Sequence, residues 1–349
     1  MPVLFVTEQG SVLRWAMSSM VVTKDGEAGT GHVARTVLLS VEPHRLEMVG
    51  LVGRVHMTLD ALHACLERGI GVAWFAWNGR LLGRVVPPMA RCGDLRLLQY
   101  RAAMDEGMAL LLAWQVMEGK LANAAAVLRG IQANYAGLTQ VAEAIRALTE
   151  LRTRIAECQT LPQLLGWEGH AAASYFAAYA AGFRGVLSFS GRQRRPPPDP
   201  VNAVLSFGYV LLGNLIGAVL EGRGFDPAVG FYHAVRSGRA SLALDLLEEF
   251  RHPVVDRFAL RTINLKILRP EMFEPDPDQS GGVRLTAPGL KIFFRAWGEH
   301  LDRPIADAES SSESGGLLLT PMQLLRRQVD RLAFSLRHGE PYRPFLLRG

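Results

Sequence analysis

The chain has 349 residues, of which 49% are hydrophobic and 20% are charged, and its formal net charge is +5. This length is enough for two domains with buried cores, and the composition excludes a disordered or fibrous protein. The basic side chains are almost all arginines, since the only lysines are Lys24, Lys120, Lys266 and Lys291. The charge is compatible with an anionic partner.

Three cysteines, Cys65, Cys92 and Cys158, are scattered along the chain and form no CxxC pair. This pattern indicates neither a disulfide framework nor a zinc ribbon. The N-terminal segment lacks the basic-then-apolar pattern of a secretory signal. The longest apolar run, residues 208–220, is too short to span a bilayer and includes Asn214. We therefore expect a cytoplasmic protein without membrane contacts.

Residues 1–88 have the pattern of a small β domain. Short runs rich in β-branched residues alternate with turn signals such as Gln9-Gly10 and Asn78-Gly79. Apolar residues at helical spacing predict a single helix at residues 58–68, with favourable capping residues at both ends. Residues 89–95 are expected to form a linker.

From residue 96 to residue 349 the hydrophobic period changes to between three and four, which predicts a helical domain. Proline-containing or low-complexity segments at 190–200, 273–282 and 306–316 are expected to be loops. The fold class is therefore α+β, with a small N-terminal β-rich domain followed by a larger all-α domain. The predicted helices cover residues 95–117, 122–134, 138–158, 164–181, 201–221, 241–251, 254–268 and 324–337.

Two separate regions contribute candidate chemistry. His233 precedes an amphipathic helix on which Asp245 and Glu248, three residues apart, share one face. Glu168 lies earlier in the chain, in the segment LLGWEGHAAASYF. Burial of a carboxylate among apolar side chains costs free energy unless it is paired or binds a cation. Each residue alone has an ordinary explanation. The histidine could donate a hydrogen bond to a backbone carbonyl, and the acidic residues could belong to a solvent-exposed helix face. His170 is interpreted as structural or solvent-facing.

Glu168, His233 and Glu248 together, with Asp245 in support, would form a mixed oxygen and nitrogen site. Such ligands without cysteine favour Mn²⁺ or Mg²⁺. A metal with free coordination positions can stabilise charge on a phosphoryl centre and activate an attacking hydroxyl. Six arginines close in sequence to these ligands fit metal-dependent phosphodiester chemistry and are the candidate DNA contacts once the resemblance described below is taken into account, although each alone is better explained as solubilising surface. They are Arg184, Arg192, Arg194, Arg195, Arg236 and Arg239.

An ordered set of motifs extends over nearly the whole chain. The β region contains LFVTEQGSVLR, RVHMTLDALHACLERGIGVAWF and WNGRLLGRVVPP. The helical region contains KLANAAAVLR, LLGWEGHAAASYF, SGRQRRPPPDPVNAVLSFGYVLL, GFDPAVGFYH, SLALDLLEEFR and EPYRPF. The set resembles the CRISPR-associated adaptation integrase family, which comprises metal-dependent DNA endonucleases that insert new spacers into CRISPR arrays.

The resemblance implies a role for each candidate residue. Glu168, His233 and Glu248 take the three metal-ligand positions, and Asp245 takes an additional acidic position among the catalytic residues. Glu248 stands where many members of the family have aspartate. The implied reaction is the attack of a DNA 3′-OH on a phosphodiester at the edge of a repeat, without a covalent enzyme intermediate.

The resemblance also implies partners, and it places Asn202 and Tyr209 near the active site or the DNA path. The partners are double-stranded and branched DNA, a second copy bound through the β domain, and a small ferredoxin-like second adaptation protein. Two alternatives remain. A transposon-type integrase of the same fold would be expected to carry a further C-terminal DNA-binding domain beyond EPYRPFLLRG. A catalytically silent DNA-binding scaffold would be expected to lose at least one ligand.

Overall fold

The structure is a computed structural model that describes residues 3–25, 35–76, 80–85, 92–135, 137–308 and 318–348. The chain divides into two compact units. The first unit comprises Met1–Met89 and Leu290–Asp302, and the second comprises Ala90–Gly289 and Arg303–Gly349. The predicted hairpin at Asn78-Gly79, the start of the predicted linker and most of the segment 306–316 lie outside the described residues.

The described part of the first unit contains two four-stranded sheets. The order of one sheet is β1-β5-β7-β8, in which β8 is antiparallel to β7 and the other pairs are parallel. The other has the order β4-β3-β2-β6, with antiparallel pairs except for β6, which is parallel to β2. The strands are β1 (Val3–Val6), β2 (Ser11–Ala16), β3 (Ser19–Asp25), β4 (Arg35–Val41), β5 (Met48–Val52), β6 (His56–Met57), β7 (Gly71–Phe75) and β8 (Leu81–Val85).

The predicted helix of this unit is α1 (Leu59–Glu67), and it begins where the side chain of Thr58 accepts a hydrogen bond from the backbone N–H of Ala61. The buried face of α1, which includes Ala61 and Cys65, packs against apolar strand residues in one core. A second helix, α9 (Ala287–Leu301), lies in the range that the sequence analysis gave to the helical domain, although no helix was predicted there. Its residues from 290 onward instead belong to the β-rich unit, where the rings of Phe294 and Phe5 lie 5.0 Å apart.

The second unit is mainly helical, which confirms the predicted α+β class. Its longest helix, α3, packs against α4, α5 and α7, and the alanine-rich middle of α3 lets these neighbours approach closely. Four short strands pair as β9 with β10 and β11 with β12. The elements are α2 (Gly93–Met104), α3 (Glu106–Asn134), α4 (Thr139–Ile155), α5 (Leu161–Tyr179), α6 (Pro200–Gly222), α7 (Ser241–Phe250), α8 (Arg257–Asn264), β9 (Phe273–Pro275), β10 (Val283–Leu285), β11 (Ile305–Ala306), β12 (Leu318–Leu319) and α10 (Pro321–His338).

Helix α6 contains the apolar run that the sequence treats as too short for a membrane span. The helix is 23 residues long and, by length and composition alone, could cross a membrane; it is the one such helix in the described part of the chain. However, 61% of its most apolar window is buried within the protein. This burial, rather than its length, identifies α6 as a core helix.

Helix α7 continues into α8 through a π-helical turn, Arg251–Asp256. The sequence predicts a break in this region, between residues 251 and 254. Pro253 lacks a backbone N–H and cannot make the regular helical hydrogen bond, and the wider π turn accommodates it without ending the helix. The turn begins directly after the acidic residues of α7, so its first residues lie beside the candidate site.

Candidate active site

The centre of the site is a lysine between two carboxylates. Lys120, on α3, contacts Glu168 Oε1 on α5 through its ammonium Nζ. The same Nζ lies 2.8 Å from Glu248 Oε2 on α7. Residues that are far apart in the sequence are thus brought together because α3 packs against both α5 and α7. Glu168 and Glu248 converge as the sequence predicts, and the cation between them is a side chain of the protein.

Two cations keep Glu248 ionised despite its burial. Burial opposes the charged form, but Arg251 and Lys120 outweigh it and lower the pKa of Glu248 to about 2. The Arg251 guanidinium lies 3.3 Å from Glu248 Oε2. For Glu168, burial and the nearby Glu248 raise the pKa, whereas Lys120 lowers it, and the balance is a lowered pKa. Both carboxylates are therefore anionic at neutral pH.

Glu168 has a second partner that the sequence did not identify. The hydroxyl of Tyr232 donates a hydrogen bond of 3.0 Å to Glu168 Oε2. Burial and the Glu168 carboxylate raise the pKa of Tyr232, so the phenol stays protonated and remains a donor. Tyr232 thus fixes the orientation of the Glu168 carboxylate through Oε2, the oxygen that Lys120 does not contact.

Asp245 holds the segment that carries His233. Its Oδ2 accepts hydrogen bonds from the backbone N–H groups of Phe231 at 2.6 Å and Tyr232 at 3.1 Å. Its Oδ1 accepts the backbone N–H of His233 at 2.9 Å and lies 2.7 Å from Nδ1 of the same residue. Because both oxygens are engaged, Asp245 acts here as a positioning residue, and the Nε2 atom of His233 is the ring nitrogen left for a ligand.

The close approach of this segment to α7 requires glycine at position 230. A Cβ atom there would lie 2.6 Å from Asp245 Oδ2 and 2.8 Å from the backbone carbon of Ser241. Ser241 Oγ donates a 3.0 Å hydrogen bond to the carbonyl of Ala234, which ties the other end of the segment to the start of α7. The imidazole of His233, with 17% of its side chain exposed, is thereby fixed near the carboxylates.

These side chains fit a divalent metal by chemistry, although they are not gathered as a ready three-ligand cluster. No group of three His, Cys, Asp or Glu side chains in the described ranges is already arranged to hold a metal ion. Glu248 Oε2 is buried, and its charge is paired with Lys120 Nζ at 2.8 Å and with Arg251 Nη1 at 3.3 Å. Two anionic carboxylates and one imidazole nitrogen are the donors that Mn²⁺ or Mg²⁺ takes. The donor set therefore fits the predicted ion.

Tyr209 lies beside the site inside a buried network, and its side chain is only 9% exposed. Its hydroxyl donates to Asp256 Oδ1, while Asp256 Oδ2 accepts the Tyr175 hydroxyl at 2.8 Å and meets His252 Nδ1 at 2.7 Å. The Arg251 guanidinium lies 4.8 Å from the centre of the Tyr209 ring. Tyr209 therefore supports the arginine that faces Glu248, and its buried hydroxyl is engaged within the protein.

Asn202 is also buried, with no exposed surface. Its amide nitrogen donates to the carbonyl of Gly191 at 2.9 Å and to Asp199 Oδ2 at 2.7 Å. Its amide oxygen accepts from Arg192 Nη1 at 2.9 Å and from the backbone N–H of Gln193 at 2.9 Å. All four contacts hold the arginine-rich loop against the start of α6, so Asn202 supports the loop from within the protein.

The six candidate arginines differ in exposure. Arg192 is half-buried, and its second guanidinium nitrogen donates to Ser206 Oγ at 3.0 Å. Arg239 is also half-buried, whereas the remaining four are exposed: Arg184, Arg194, Arg195 and Arg236. The guanidinium of Arg184 lies 4.3 Å from the centre of the Tyr135 ring. The four exposed arginines are therefore available to an external anion. Arg192 instead makes hydrogen bonds within the protein.

Glu249, the neighbour of Glu248, anchors the C-terminal segment. It is fully buried and accepts hydrogen bonds from the Tyr342 hydroxyl at 2.6 Å, the Phe345 backbone N–H at 2.9 Å and Gln328 Nε2 at 3.2 Å. Burial raises the pKa of Glu249 to about 7, although these three hydrogen bonds lower it. Asn123, on α3, completes the attachment through the carbonyls of Glu249 and Phe345. The motif EPYRPF is therefore packed directly behind the ligand-bearing helix.

The sequence missed three residues that contact the proposed ligands: Lys120, Tyr232 and Arg251. The sequence contains one indication for Lys120. It is the single lysine of an alanine-rich helical segment, KLANAAAVLR, and a lysine in such a segment is seldom buried unless its charge is paired. Arg251 is three residues after Glu248, a spacing that places both on one helix face. Tyr232 carried no signal of its own beyond its position next to His233. His170 is exposed, as the sequence predicts for it.

Comparison with known proteins gives relatives over nearly the full chain. Residues 4–299 match the family described as CRISPR associated protein Cas1. A protein named CRISPR-associated endonuclease Cas1 2, from Rhodospirillum rubrum, is 34% identical over 341 residues, which cover 93% of this chain and 94% of the relative. A Cas4 exonuclease/Cas1 endonuclease fusion from Geobacter sulfurreducens is 32% identical over 314 residues, covering 87% of this chain. The chain spans about half of that fusion, 55% of its length.

Solved structures share the fold. A casposase bound to its integration product superposes with a TM-score of 0.79 at 21% identity, covering 99% of this chain and 93% of the casposase. A Cas1 protein from Thermotoga maritima gives a TM-score of 0.73 at 21% identity, with 97% of both chains covered. A chain of a Cas6-RT-Cas1–Cas2 complex gives 0.74 at 24% identity, covering 99% of this chain and 36% of the other.

The family match includes the β-rich region and the segments that carry Glu168, His233 and Glu248. The named relatives extend the match over nearly the whole chain, and the solved structures agree in fold with both its sheet-containing and its helical parts. From these matches, together with the motifs on which the resemblance was based, the chain belongs to the Cas1 family of CRISPR-associated proteins, whose curated relatives are named endonucleases.

Proposed function

We propose that the protein is a metal-dependent DNA endonuclease and integrase that inserts new spacers into a CRISPR array. In this reaction the 3′-OH of a DNA fragment attacks a phosphodiester at the edge of a repeat. The observation that carries the proposal is the convergence of Glu168 and Glu248 on one cation, beside an imidazole held by Asp245. In a chain of the Cas1 family, this convergence is best explained as a phosphoryl-transfer site.

Glu168, Glu248 and the Nε2 atom of His233 would hold Mn²⁺ or Mg²⁺ in this proposal. Such an ion supplies stabilisation of charge on the phosphoryl oxygens and lowers the pKa of a bound hydroxyl. Among the residues that the structure describes at this site there is no Ser–His–Asp arrangement and no cysteine, and the Tyr232 hydroxyl is engaged with Glu168. The attacking group would then be the DNA 3′-OH.

The residues around the ligands have definable tasks. Asp245 fixes the position of the imidazole by accepting the His233 backbone N–H and contacting Nδ1. Tyr232 orients Glu168, and Arg251 offsets the charge of Glu248. These contacts are made before DNA arrives, so the reacting geometry needs little rearrangement of the protein when the substrate binds.

The exposed arginines supply a route for the DNA backbone. Arg194 and Arg195 lie in a loop held by Asn202, and Arg236 follows His233 by three residues. Arginine suits phosphate oxygens because its planar group can donate two parallel hydrogen bonds. We therefore assign the double-stranded and branched DNA of the proposed reaction to this face of the helical unit, with Arg184 as a further contact.

We also propose that two copies associate through the β-rich unit. Strand β4 is at the end of its sheet and exposes Val37, Leu38 and Leu39 by 60%, 44% and 40%. An exposed apolar edge strand commonly marks an interaction surface. The proposed second partner is a small ferredoxin-like adaptation protein, since a chain of similar fold occurs in a Cas6-RT-Cas1–Cas2 complex. The proposed location is the cytoplasm.

The test is a strand-joining assay with Mn²⁺, a DNA fragment and a target containing a CRISPR repeat. Wild-type protein should join the fragment at the repeat edges, whereas Glu248→Ala and His233→Ala should lose the activity by at least about 100-fold. His170→Ala is the matched control, because this exposed histidine lies outside the site. Equal joining by both site variants would contradict the assignment. Joining without any preference for the repeat would favour a transposon-type integrase.

A further inference from the structure

Lys120 is the most deeply buried cationic side chain in contact with the proposed ligands. The residue is only 3% exposed. Lysine is seldom buried to this extent unless its charge is paired. Here the ammonium contacts one oxygen of Glu168 and lies 2.8 Å from one oxygen of Glu248. These two carboxylates are the ones that we assign to the metal, so the lysine uses the same anionic groups that a metal ion would require.

Cationic side chains already offset the charges of the two carboxylate ligands without a metal. Glu168 and Glu248 face two cationic side chains, Lys120 and Arg251. A divalent cation that entered this arrangement unchanged would be repelled by an ammonium at close range, and at an effective dielectric constant of about 20 such repulsion is large. Movement of one resident cation away from the carboxylates would relieve this repulsion and let the ion bind both of them more tightly.

The surroundings indicate which cation moves. The Arg251 guanidinium is packed against the Tyr209 ring, which fixes its position. Lys120 ends in a compact ammonium on a flexible four-carbon chain, and no aromatic ring is stacked on it among the described cation–ring contacts. Withdrawal of Arg251 would break its contact with the Tyr209 ring and disturb the buried network around Asp256, so Lys120 is the cation that we expect to move.

We propose that Lys120 is a resident cation that competes with the divalent metal for Glu168 and Glu248 and so sets the metal affinity of the site. In the metal-free protein it holds the two carboxylates together against their mutual repulsion. When the metal binds, the ammonium leaves at least one of them. This inference rests on the proposed metal site, and it adds a regulator of that site which the ligand set alone does not contain.

The first test measures Mn²⁺ binding to Lys120→Met by electron paramagnetic resonance. Methionine has a similar length without the charge, so removal of the competing cation should tighten Mn²⁺ binding at least about tenfold. Lys24→Met is the control, because Lys24 pairs with Glu8 in the β-rich unit and should leave the affinity unchanged. An unchanged or weaker affinity in folded Lys120→Met would overturn the proposal.

The second test needs no change at Lys120 and therefore avoids any defect in folding of the variant. The chain has only four lysines, so protein labelled with ¹³C at lysine Cε gives four resonances. Lys24→Arg, Lys266→Arg and Lys291→Arg assign three of them and leave the fourth to Lys120. Titration with Mg²⁺ should move the Lys120 resonance to saturation and leave the others in place. A Lys120 resonance that stays fixed while Mg²⁺ binds would overturn competition.

A His233→Ala protein separates failure of this inference from failure of the proposed function. If wild-type protein binds Mn²⁺ no better than His233→Ala, the metal site itself is wrong and the competition falls with it. If wild-type protein binds Mn²⁺ through His233 while Lys120 responds in neither test, the metal site stands and only the competition is overturned. Tighter binding in Lys120→Met together with a moving Lys120 resonance supports both.

Discussion

The carboxylate of Asp245 accepts the backbone N–H of His233 at 2.9 Å and also contacts Nδ1 of the same residue at 2.7 Å. One aspartate thus fixes both the main chain and the ring of the proposed ligand. The arrangement matches the general pattern in which a metal-binding histidine has its other nitrogen held by a carboxylate. It gives Asp245 a task that differs from that of Glu248, although both belong to one helix face.

Replacement of Asp245 by asparagine should weaken metal binding without removing a ligand. The amide group can accept on one side only, so the ring and the backbone of His233 lose part of their support. Loss of such an outer partner commonly lowers metal affinity about 10- to 100-fold. Calorimetric titration with Mn²⁺ checks this. Asp330→Asn, at an exposed ion pair with Arg223, is the control, and equal affinities of the two variants would contradict the positioning role.

The raised pKa of Glu249 predicts a pH dependence of stability. The carboxyl group has a pKa of about 7 in the folded protein and 4.5 in the unfolded reference. The folded state therefore binds the proton more tightly, and its contribution to stability is complete below about pH 4.5 and is lost as the pH rises through about 7. The loss is on the order of 3 kcal/mol if the full shift is expressed.

The measurement is the free energy of unfolding in urea across this pH range, for wild-type protein and Glu249→Gln. Glutamine cannot titrate, so the variant should lack the fall in stability that Glu249 contributes as the pH rises. Thr149→Ser, in exposed surface of α4, is a control in which the wild-type pH profile should be kept. A Glu249→Gln profile identical to that of the wild-type protein would show that Glu249 does not carry this dependence.

The exposed arginines of the loop and the buried Asn202 of α6, which holds that loop, should affect DNA binding differently. Replacement of Arg194 and Arg195 by alanine should weaken DNA binding and reduce the slope of log affinity against log salt by about 1 for each lost phosphate contact. Asn202→Ala should instead lower the free energy of unfolding by about 1–3 kcal/mol, since it leaves buried groups without partners. In this variant the salt slope of the folded fraction should be preserved.

Fluorescence anisotropy of labelled duplex DNA over a series of salt concentrations separates the two effects. Wild-type affinity should fall steeply as salt rises, because phosphate contacts dominate binding. A flat response of the wild-type protein, or an unchanged slope in Arg194→Ala/Arg195→Ala, would indicate that the DNA does not follow this loop.

The exposed edge strand β4 predicts that charge introduced there will separate the two copies of the proposed dimer. Val37→Lys with Leu39→Lys should give a monomer, because charged side chains at an edge strand oppose pairing. Leu82→Lys, at a residue of β8 that is 57% exposed, is the matched control and should keep the wild-type mass. Light scattering after gel filtration measures the masses, and a dimeric Val37→Lys/Leu39→Lys protein would place the interface elsewhere.

Local periodicity predicted most of the longer strands and helices, because each has its own repeat of apolar residues. It predicted no helix at α9, and it placed the break between α2 and α3 after residue 117, whereas the structure has it at Asp105. It could not assign α9 to the correct unit, since the partner of Phe294 is Phe5, near the other end of the chain. Packing of this kind depends on contacts between residues far apart in the sequence, which a short stretch of sequence does not contain. The π turn at Pro253 was predicted as a break because proline interrupts a regular helix. In the structure the helix continues there, and the buried contact between His252 and Asp256 supports it.

For the candidate site, the ligand residues could be proposed because carboxylates on apolar surfaces require a partner. The identity of that partner could not, since Lys120 is 48 residues from Glu168 and no spacing rule connects them. The role of Asp245 was also beyond reach, because it depends on the fold of residues 230–233 against α7. Sequence patterns therefore indicated which acidic residues are candidates for the site. The structure shows which partner each of them contacts.

The most direct test of the metal site is a crystal soaked in Mn²⁺ and measured for anomalous scattering near the manganese absorption edge. We expect one strong peak bound by the carboxylates of Glu168 and Glu248 and by Nε2 of His233, with Asp245 still in contact with Nδ1. A peak at other residues, or none while Lys120 still bridges the two carboxylates at saturating Mn²⁺, would contradict it.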